Sequence, residues 1–375
     1  MTESSLNQRE LCQKILSNTI TKTRYSLAIT FYSFIPIIMQ LPAQQELTEV
    51  LPISHVSYSS IKSYCQDQQS FYKGYILGQR DEIEVKPSYV IGTAVHAGIE
   101  SYWIHQKAIN SWGEITPLTN SDFIILAQGQ ADHMIRKAEA DWNMVRWVTQ
   151  NRETVMSTIK ETLEAYLNKP PKYKPLYTEI DDIVAFTDFE GVDMPVPLKV
   201  KIDMIAEDEE WNLIIVDHKT TSSGFEKEDS DIAPDFDLQA WAYFIGCMSI
   251  TGKQPKKIIF DQITKGKPNP FKGMLQKDLR ELCDKHSIAY EKYTKNEELK
   301  EKILEAWVLE MPDIIQKYEI DFSTNMQPIQ AFIYLYKQII LDLYTKTLYQ
   351  VPFIINPFKQ FWWDIGYKKW LEEIA

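Results

Sequence analysis

The chain has 375 residues, 44% of them hydrophobic and 25% charged, with 13 Gly and 18 Pro; this ordinary globular usage excludes collagen-like and disordered classes. That length allows about two to three domains, and the net charge of −12 excludes a protein that coats nucleic acid by bulk electrostatics. It does not exclude a nucleic-acid enzyme, whose own metal site would be acidic.

Cys12, Cys65, Cys247 and Cys283 lie far apart with no CxxC pair, which argues against a zinc ribbon or a disulfide framework and fits a reducing cytosol. Neither GxxxxGK[ST] nor GxGxxG occurs, so no nucleotide motor or dinucleotide site is signalled.

Ser26 to Gln45 carries no charge and follows Lys22 and Arg24. It reaches spanning length only by including polar residues and two prolines, and Pro36 would kink it. The readings left open are a packing segment, sequence upstream of a start at Met39, and a membrane anchor, which the composition disfavours. From Ser57 to Phe71 capping serines open a short helix. Ile91 to Gln106 reads as a helix with Val95, Ile99 and Tyr102 or Trp103 as its apolar stripe. Ser121 to Leu167 is helical and mixed in charge, and ends at the breaker Lys169-Pro170-Pro171-Lys172.

Strands are predicted at Tyr177 to Phe186, Leu198 to Ala206 and Trp211 to Lys219, the last two joined as a hairpin by the acidic turn Glu207 to Glu210. Asp235 to Ile250 returns to helix and Lys257 to Thr264 to strand. From about Gln276 onward the pattern is mainly helical, with aromatic density at Phe361-Trp362-Trp363. The divisions expected are an extension over 1–53, a core over 54–275 with a helical insertion at about 107–170, and a mainly helical region over 276–375.

A hairpin turn centred near Glu210 places Asp203 opposite Asp217, with Cβ atoms about 5 Å apart. Lys219 projects from the same face as Asp217, because strand side chains alternate. Two crowded carboxylates repel unless a cation lies between them, and hard divalent ions favour oxygen ligands. The same register sets Lys201 against Lys219, an unfavourable pair; either the local register differs or Lys201 points into a phosphate-binding cleft.

These residues resemble the PD-(D/E)XK nuclease superfamily, in particular its RecB-like branch. Gly92, His96 and Glu100 match its helical GxxxHxxxE, and Ile202-Asp203 matches the Asp of the next motif. Val216-Asp217-His218-Lys219 matches the strand ending in Asp-x-Lys, and Gln239 with Tyr243 matches QxxxY. Ser57, Ser59, Ser60, Tyr64 and Phe71 echo the helix that opens the family's pattern. One departure is Lys201, where relatives usually carry Gly two residues before the motif Asp.

The resemblance implies an α/β, restriction-endonuclease-like core: a central mixed, mostly antiparallel sheet flanked by helices, with a helical insertion and a helical C-terminal region. It implies a divalent metal, Mg2+ or Mn2+, on His96, Asp203, Asp217 and the main-chain carbonyl of His218. Lys219 would act with Asp203 and Asp217 in catalysis, orienting or deprotonating water. Glu100 and Glu179 would serve in an outer shell or at a second metal. Gln239 and Tyr243 would contact the DNA backbone or brace the site, and Lys201, Lys265 and Lys267 would contact DNA, the last two within the basic stretch Lys253 to Arg280.

No iron–sulfur cluster is expected, since Cys65 has no C-terminal cysteine triplet to join it. The implied activity is DNA phosphodiester hydrolysis in the cytoplasm, from ends rather than internally. It would serve recombination or repair of phage type, beside a separate helicase or single-strand annealing protein. The alternatives are a restriction-type endonuclease and an inactive nuclease fold that serves as a DNA- or protein-binding scaffold.

Overall fold

The structure is a computed structural model and describes residues 50–353, apart from residues 52, 80–84, 113–115, 141–146, 148–149, 222–232, 268, 272, 307–308, 310–311 and 324–326. The uncharged stretch Ser26 to Gln45 and the aromatic cluster Phe361 to Trp363 lie outside the described residues. Among the described residues, no helix is long and apolar enough to cross a membrane.

A short strand β1 (Val56–Ser57) leads into α1 (Tyr58–Gln66). The serines that open this helix cap it: Ser57 Oγ accepts from the Ser60 amide, and Ser60 Oγ accepts from the Ser57 amide at 2.8 Å. A one-turn helix α2 (Gln68–Phe71) and a π-turn over Tyr72–Ile76 follow. Three longer helices come next, α3 (Pro87–Trp112), α4 (Asn120–Ala140) and α5 (Arg152–Asn168). The last of these starts at Asn151, whose side chain caps the Thr154 amide.

The strands β2 (Lys174–Val184), β3 (Leu198–Glu207) and β4 (Leu213–Thr221) precede α6 (Ala233–Thr251) and β5 (Lys257–Thr264). The remainder contains α7 (Gln276–Lys285), α8 (Asn296–Glu305), β6 (Ile315–Asp321) and α9 (Gln327–Leu348). The fold is mixed α/β: a six-stranded sheet of order β1-β3-β4-β5-β6, with β2 also paired to β3 and helices flanking it. The β4–β5 and β1–β3 pairs are parallel and the others antiparallel. The mainly helical region after residue 275 therefore returns one strand, β6, to the sheet, so 275 does not mark the end of the sheet-bearing part. The run Ile315 to Asp321 alternates partly buried and exposed residues, as a one-faced edge strand does.

The apolar stripe of α3 behaves as its spacing predicts: Val95, Ile99 and Trp103 are buried, and Trp103 Nε1 donates to Tyr166 Oη at 2.9 Å. Helix α3 packs with α4 and α5 over Met204, Ala206, Ile214, Val216, Ile259 and Ile263 of the sheet. Gly98 permits this approach, because a Cβ there would lie 2.7 Å from Leu163 Cδ1 and 3.2 Å from Ala127 Cβ. Gly98→Ala is expected to cost about 1–3 kcal/mol by overpacking. Urea unfolding measures it, and an unchanged midpoint would show that the three helices have slack.

The β3–β4 hairpin has the register read from its turn, with Met204 opposite Val216 and Ile205 opposite Ile215. The ladder stops there. Lys201 does not meet Lys219; it stands opposite Asp181 of β2, while Lys219 stands opposite Gln262 of β5. On the edge of β3 that β4 has left, β1 pairs with Leu198 and Lys199. Residues 200–203 thus face a gap between β1 and β4.

Side-chain alternation also changes phase here. Val200 and Ile202 approach Gly246 on α6, whereas Met204 and Ala206 belong to the cluster under α3. Glu179, on the neighbouring strand, has φ of 49°, the left-handed region that a non-glycine residue adopts at a cost of order 1–3 kcal/mol.

Candidate metal centre

Asp203 sits where the sheet opens. Its Oδ2 accepts from the His218 amide at 2.8 Å and lies 2.9 Å from His96 Nε2. An N–H that would otherwise continue the ladder is thereby satisfied by a side chain. His96 reaches this point from α3, which comes close to β4 at Gly92: a Cβ on Gly92 would lie 2.9 Å from Thr220 Oγ1. The glycine one turn before the histidine has a steric reason.

Glu179 completes the group. Ligand atoms of His96, Glu179 and Asp203 all lie within 4.8 Å of one another, with Asp203 buried and the other two half-buried. A nitrogen and two carboxylate donors at this separation fit a single divalent cation that keeps some oxygen ligands from water or substrate. The sequence expectation gave Glu179 an outer role or a second metal and counted Asp217 among the ligands; here Glu179 stands with His96 and Asp203, and Asp217 lies outside that group. The signal of Glu179 was weak, because Glu-Ile-Asp-Asp in a strand has no motif spacing and the left-handed φ that accompanies its placement is not legible in sequence.

Asp217 faces a different neighbourhood. It is 1% exposed and is held by Lys219 Nζ at 2.8 Å and by Gln239 Nε2 at 2.9 Å. Gln239 Nε2 also donates to Tyr243 Oη at 2.8 Å. Gln239 therefore braces the Asp217 carboxylate from α6, and Tyr243 holds Gln239 in place. Both are buried, so this bracing rather than DNA contact is what the geometry supplies. Lys219, 38% exposed, carries the Asp217 pair toward the surface.

The electrostatics reflect three crowded carboxylates. Burial pushes Glu179 up to about 7, assisted by the charges of Asp203 and Glu100. Burial likewise raises Asp217 to about 6, with Asp203 adding to the rise and Lys219 opposing it. Burial would also raise Asp203, but its hydrogen bond to His96 and the charges of His96 and Lys219 outweigh that and hold it at about 2. Burial acts to lower His96, yet the carboxylates of Asp203, Glu179 and Asp217 leave its imidazole above the ordinary value. For Lys219 burial again opposes the charge, and Asp217 with Asp203 raises its pKa, so it is an ammonium at neutral pH. Without a cation, Glu179, Asp217 and His96 therefore keep protons to higher pH than ordinary groups of their kind.

Glu100 stands near enough to Glu179 to add negative charge, and no hydrogen bond from it to His96 is seen among the described residues. Behind the strand, the His218 ring is fully enclosed, with Nδ1 3.6 Å from Asp261 Oδ2, and burial lowers it to about 4. The basic stretch is more neutralised than its sequence implies. Lys256 pairs with Glu210 and Lys257 with Glu319, while Lys265 donates to the Ser88 carbonyl at the start of α3. Lys267 lines a separate groove with Lys160, Tyr173 and Lys317, away from His96 and Asp203. Lys201 remains exposed and near Glu179, whose pKa its charge lowers.

The sequence profile of the PD-(D/E)XK nuclease superfamily matches residues 55–326, well over half of the chain. A search of curated proteins finds no match. Among solved structures, one titled "Crystal structure of SSO0001" is similar at 12% identity, over 78% of this chain and 84% of that one, with a TM-score of 0.23, too remote to argue from. The profile spans every strand of the sheet and all the groups around Asp203 and Asp217, and the chain belongs to the PD-(D/E)XK nuclease superfamily.

Proposed function

We propose that this chain is a Mg2+- or Mn2+-dependent deoxyribonuclease of the RecB-like kind that degrades DNA from its ends. The observation that carries the reading is the cluster of His96, Glu179 and Asp203 beside the Asp217–Lys219 pair. His96, Asp203 and Glu179 would hold the cation, and the RecB-like motif series would add Asp217 and the His218 carbonyl. A cation bound there supplies charge for the scissile phosphate and makes an attacking water more acidic.

The protein's own groups do the rest. Lys219 donates a hydrogen bond and positive charge to a phosphate oxygen or to the water; its raised pKa suits a donor, not a base. Asp217 keeps the ammonium aimed, and Gln239 and Tyr243 keep Asp217 in place. Lys201 offers a phosphate contact from the open edge of β3. The chain would work in the cytoplasm, in recombination or repair, with a separate helicase or annealing protein opening or pairing strands. The family supports a nuclease; the preference for ends rests on the RecB-like motif series.

The test is a digestion series on linear and covalently closed circular DNA with Mg2+. Linear DNA should be consumed while closed circles survive. Cutting of closed circles would assign an endonuclease of restriction type. No loss of either substrate relative to Lys219→Ala protein would leave a binding scaffold.

A further inference from the structure

Helix α3 does not end at the metal cluster. His96, Glu100, Trp103 and Lys107 recur at helical spacing and share one side of it. That side meets β2, since Lys107 Nζ stands 5.5 Å from the centre of the Tyr177 ring and Glu179 meets His96. Tyr177 and Glu179 are two residues apart on the strand, a rise of about 7 Å. Both turn toward α3, Glu179 at His96 and the Tyr177 ring further along the same surface at Lys107, which lies about 16 Å beyond His96 on the helix. Tyr177 is 40% exposed although it is a large aromatic in the sheet, and Lys107 covers part of one ring face without enclosing it.

An aromatic plane with an adjoining ammonium is the arrangement that grips an unpaired nucleotide: the ring takes the base and the cation takes the phosphate. A paired base cannot present its face to such a shelf without leaving its stack.

We propose that Tyr177 and Lys107 form a nucleotide shelf next to the metal cluster, on which a base of a single-stranded substrate stacks while its phosphate meets Lys107. This rests on the nuclease reading above and adds to it the strand state that the site accepts. The shelf makes single-stranded ends, or ends frayed by a few bases, the preferred substrate over blunt duplex.

The test pairs a protein change with a substrate change. Short labelled single-stranded oligonucleotides are titrated with wild type, Tyr177→Ala, Tyr177→Phe and Lys107→Ala, with Ca2+ in place of Mg2+. In parallel, one base at a time is replaced by an abasic residue. Tyr177→Ala should weaken binding about tenfold. One abasic position should weaken wild type to a similar degree and leave Tyr177→Ala unaffected. Tyr177→Phe should bind like wild type, because stacking needs the ring and not the hydroxyl, and Lys107→Ala should lose affinity and salt dependence together.

Equal binding by Tyr177→Ala and wild type overturns the shelf, and so do losses that multiply at every abasic position. Failure of wild type to bind single strands overturns it as well. Failure of the nuclease reading shows separately, as wild-type protein that cuts no DNA with Mg2+ whatever its binding profile.

Discussion

Lys219→Met should lower Mg2+-dependent DNA cleavage about 10²–10³-fold, the cost of removing one preorganised donor from a site of developing charge. Methionine keeps the length and apolar stem of the side chain while deleting the ammonium. The fold should tolerate the change, because Lys219 is partly exposed and Gln239 still donates to Asp217. Asp217 would then be a buried carboxylate without its counter-ion, and its already raised pKa would rise further, so it would become neutral.

That reasoning predicts how the partner substitution combines with the first. Asp217→Asn alone should lower cleavage to a similar degree, yet it removes a charge that burial and Asp203 disfavour. The metal-free Asp217→Asn protein should therefore be no less stable than wild type. The Asp217→Asn/Lys219→Met double variant should be as inactive as either single variant, since the groups act as one unit. Initial rates on linear DNA, with urea unfolding of each variant in EDTA, measure both effects. Activity losses that multiply in the double variant would mean that Asp217 and Lys219 act independently.

The site was legible wherever sequence spacing fixes geometry. Gly92, His96 and Glu100 fall on one helix face by periodicity, and the register of Met204 with Val216 follows from a short acidic turn. The face change at Asp203 was not legible. A strict period of two keeps residues 200, 202, 204 and 206 together, whereas the strand re-aims its side chains beside the left-handed Glu179. The resemblance gave Glu179 an outer place or a second metal, and no spacing in the sequence sets it beside His96 and Asp203.

The apparent clash of Lys201 with Lys219 had a similar cause, since a hairpin register was extended past the point where the strands separate. The strand β6 was hidden because Ile315 to Asp321 alternates weakly between helical segments, and only its partner β5 makes it a strand. The capping serines of α1 proved to have a purely local reason, the reciprocal bonds of Ser57 and Ser60.

Without metal, the protein should be more stable at pH 5.5 than at pH 7.5, and a divalent cation should erase that difference. The sign follows from the carboxylates whose pKa values are raised in the folded chain. Glu179 rises to about 7 and Asp217 to about 6 in the folded chain, above about 4.3 and 3.9 when unfolded. The folded state therefore holds protons that the unfolded state releases, and each group costs stability as pH rises from the unfolded value through the folded one. Asp261, raised to about 7, acts with them, and His218, lowered to about 4, acts against them, because its imidazole takes up a proton at about 6.5 when unfolded and refuses it when folded. With solvent screening at the half-buried Glu179, the net loss between pH 5.5 and 7.5 is on the order of 2 kcal/mol.

Asp203, held at about 2, contributes with the opposite sign and loses its contribution only as pH falls below about 4, so it does not enter this window. A cation on His96, Glu179 and Asp203 replaces the proton and binds best when all three are unprotonated, so its stabilisation grows with pH. Unfolding in EDTA and in millimolar Mn2+ at the two pH values should give curves that diverge at pH 7.5 and approach each other at pH 5.5. Glu179→Gln should reduce the pH dependence in EDTA and weaken the response to Mn2+. If Glu179→Gln responds to Mn2+ as wild type does, the cation is held elsewhere, with Asp217 in place of Glu179 as the first candidate.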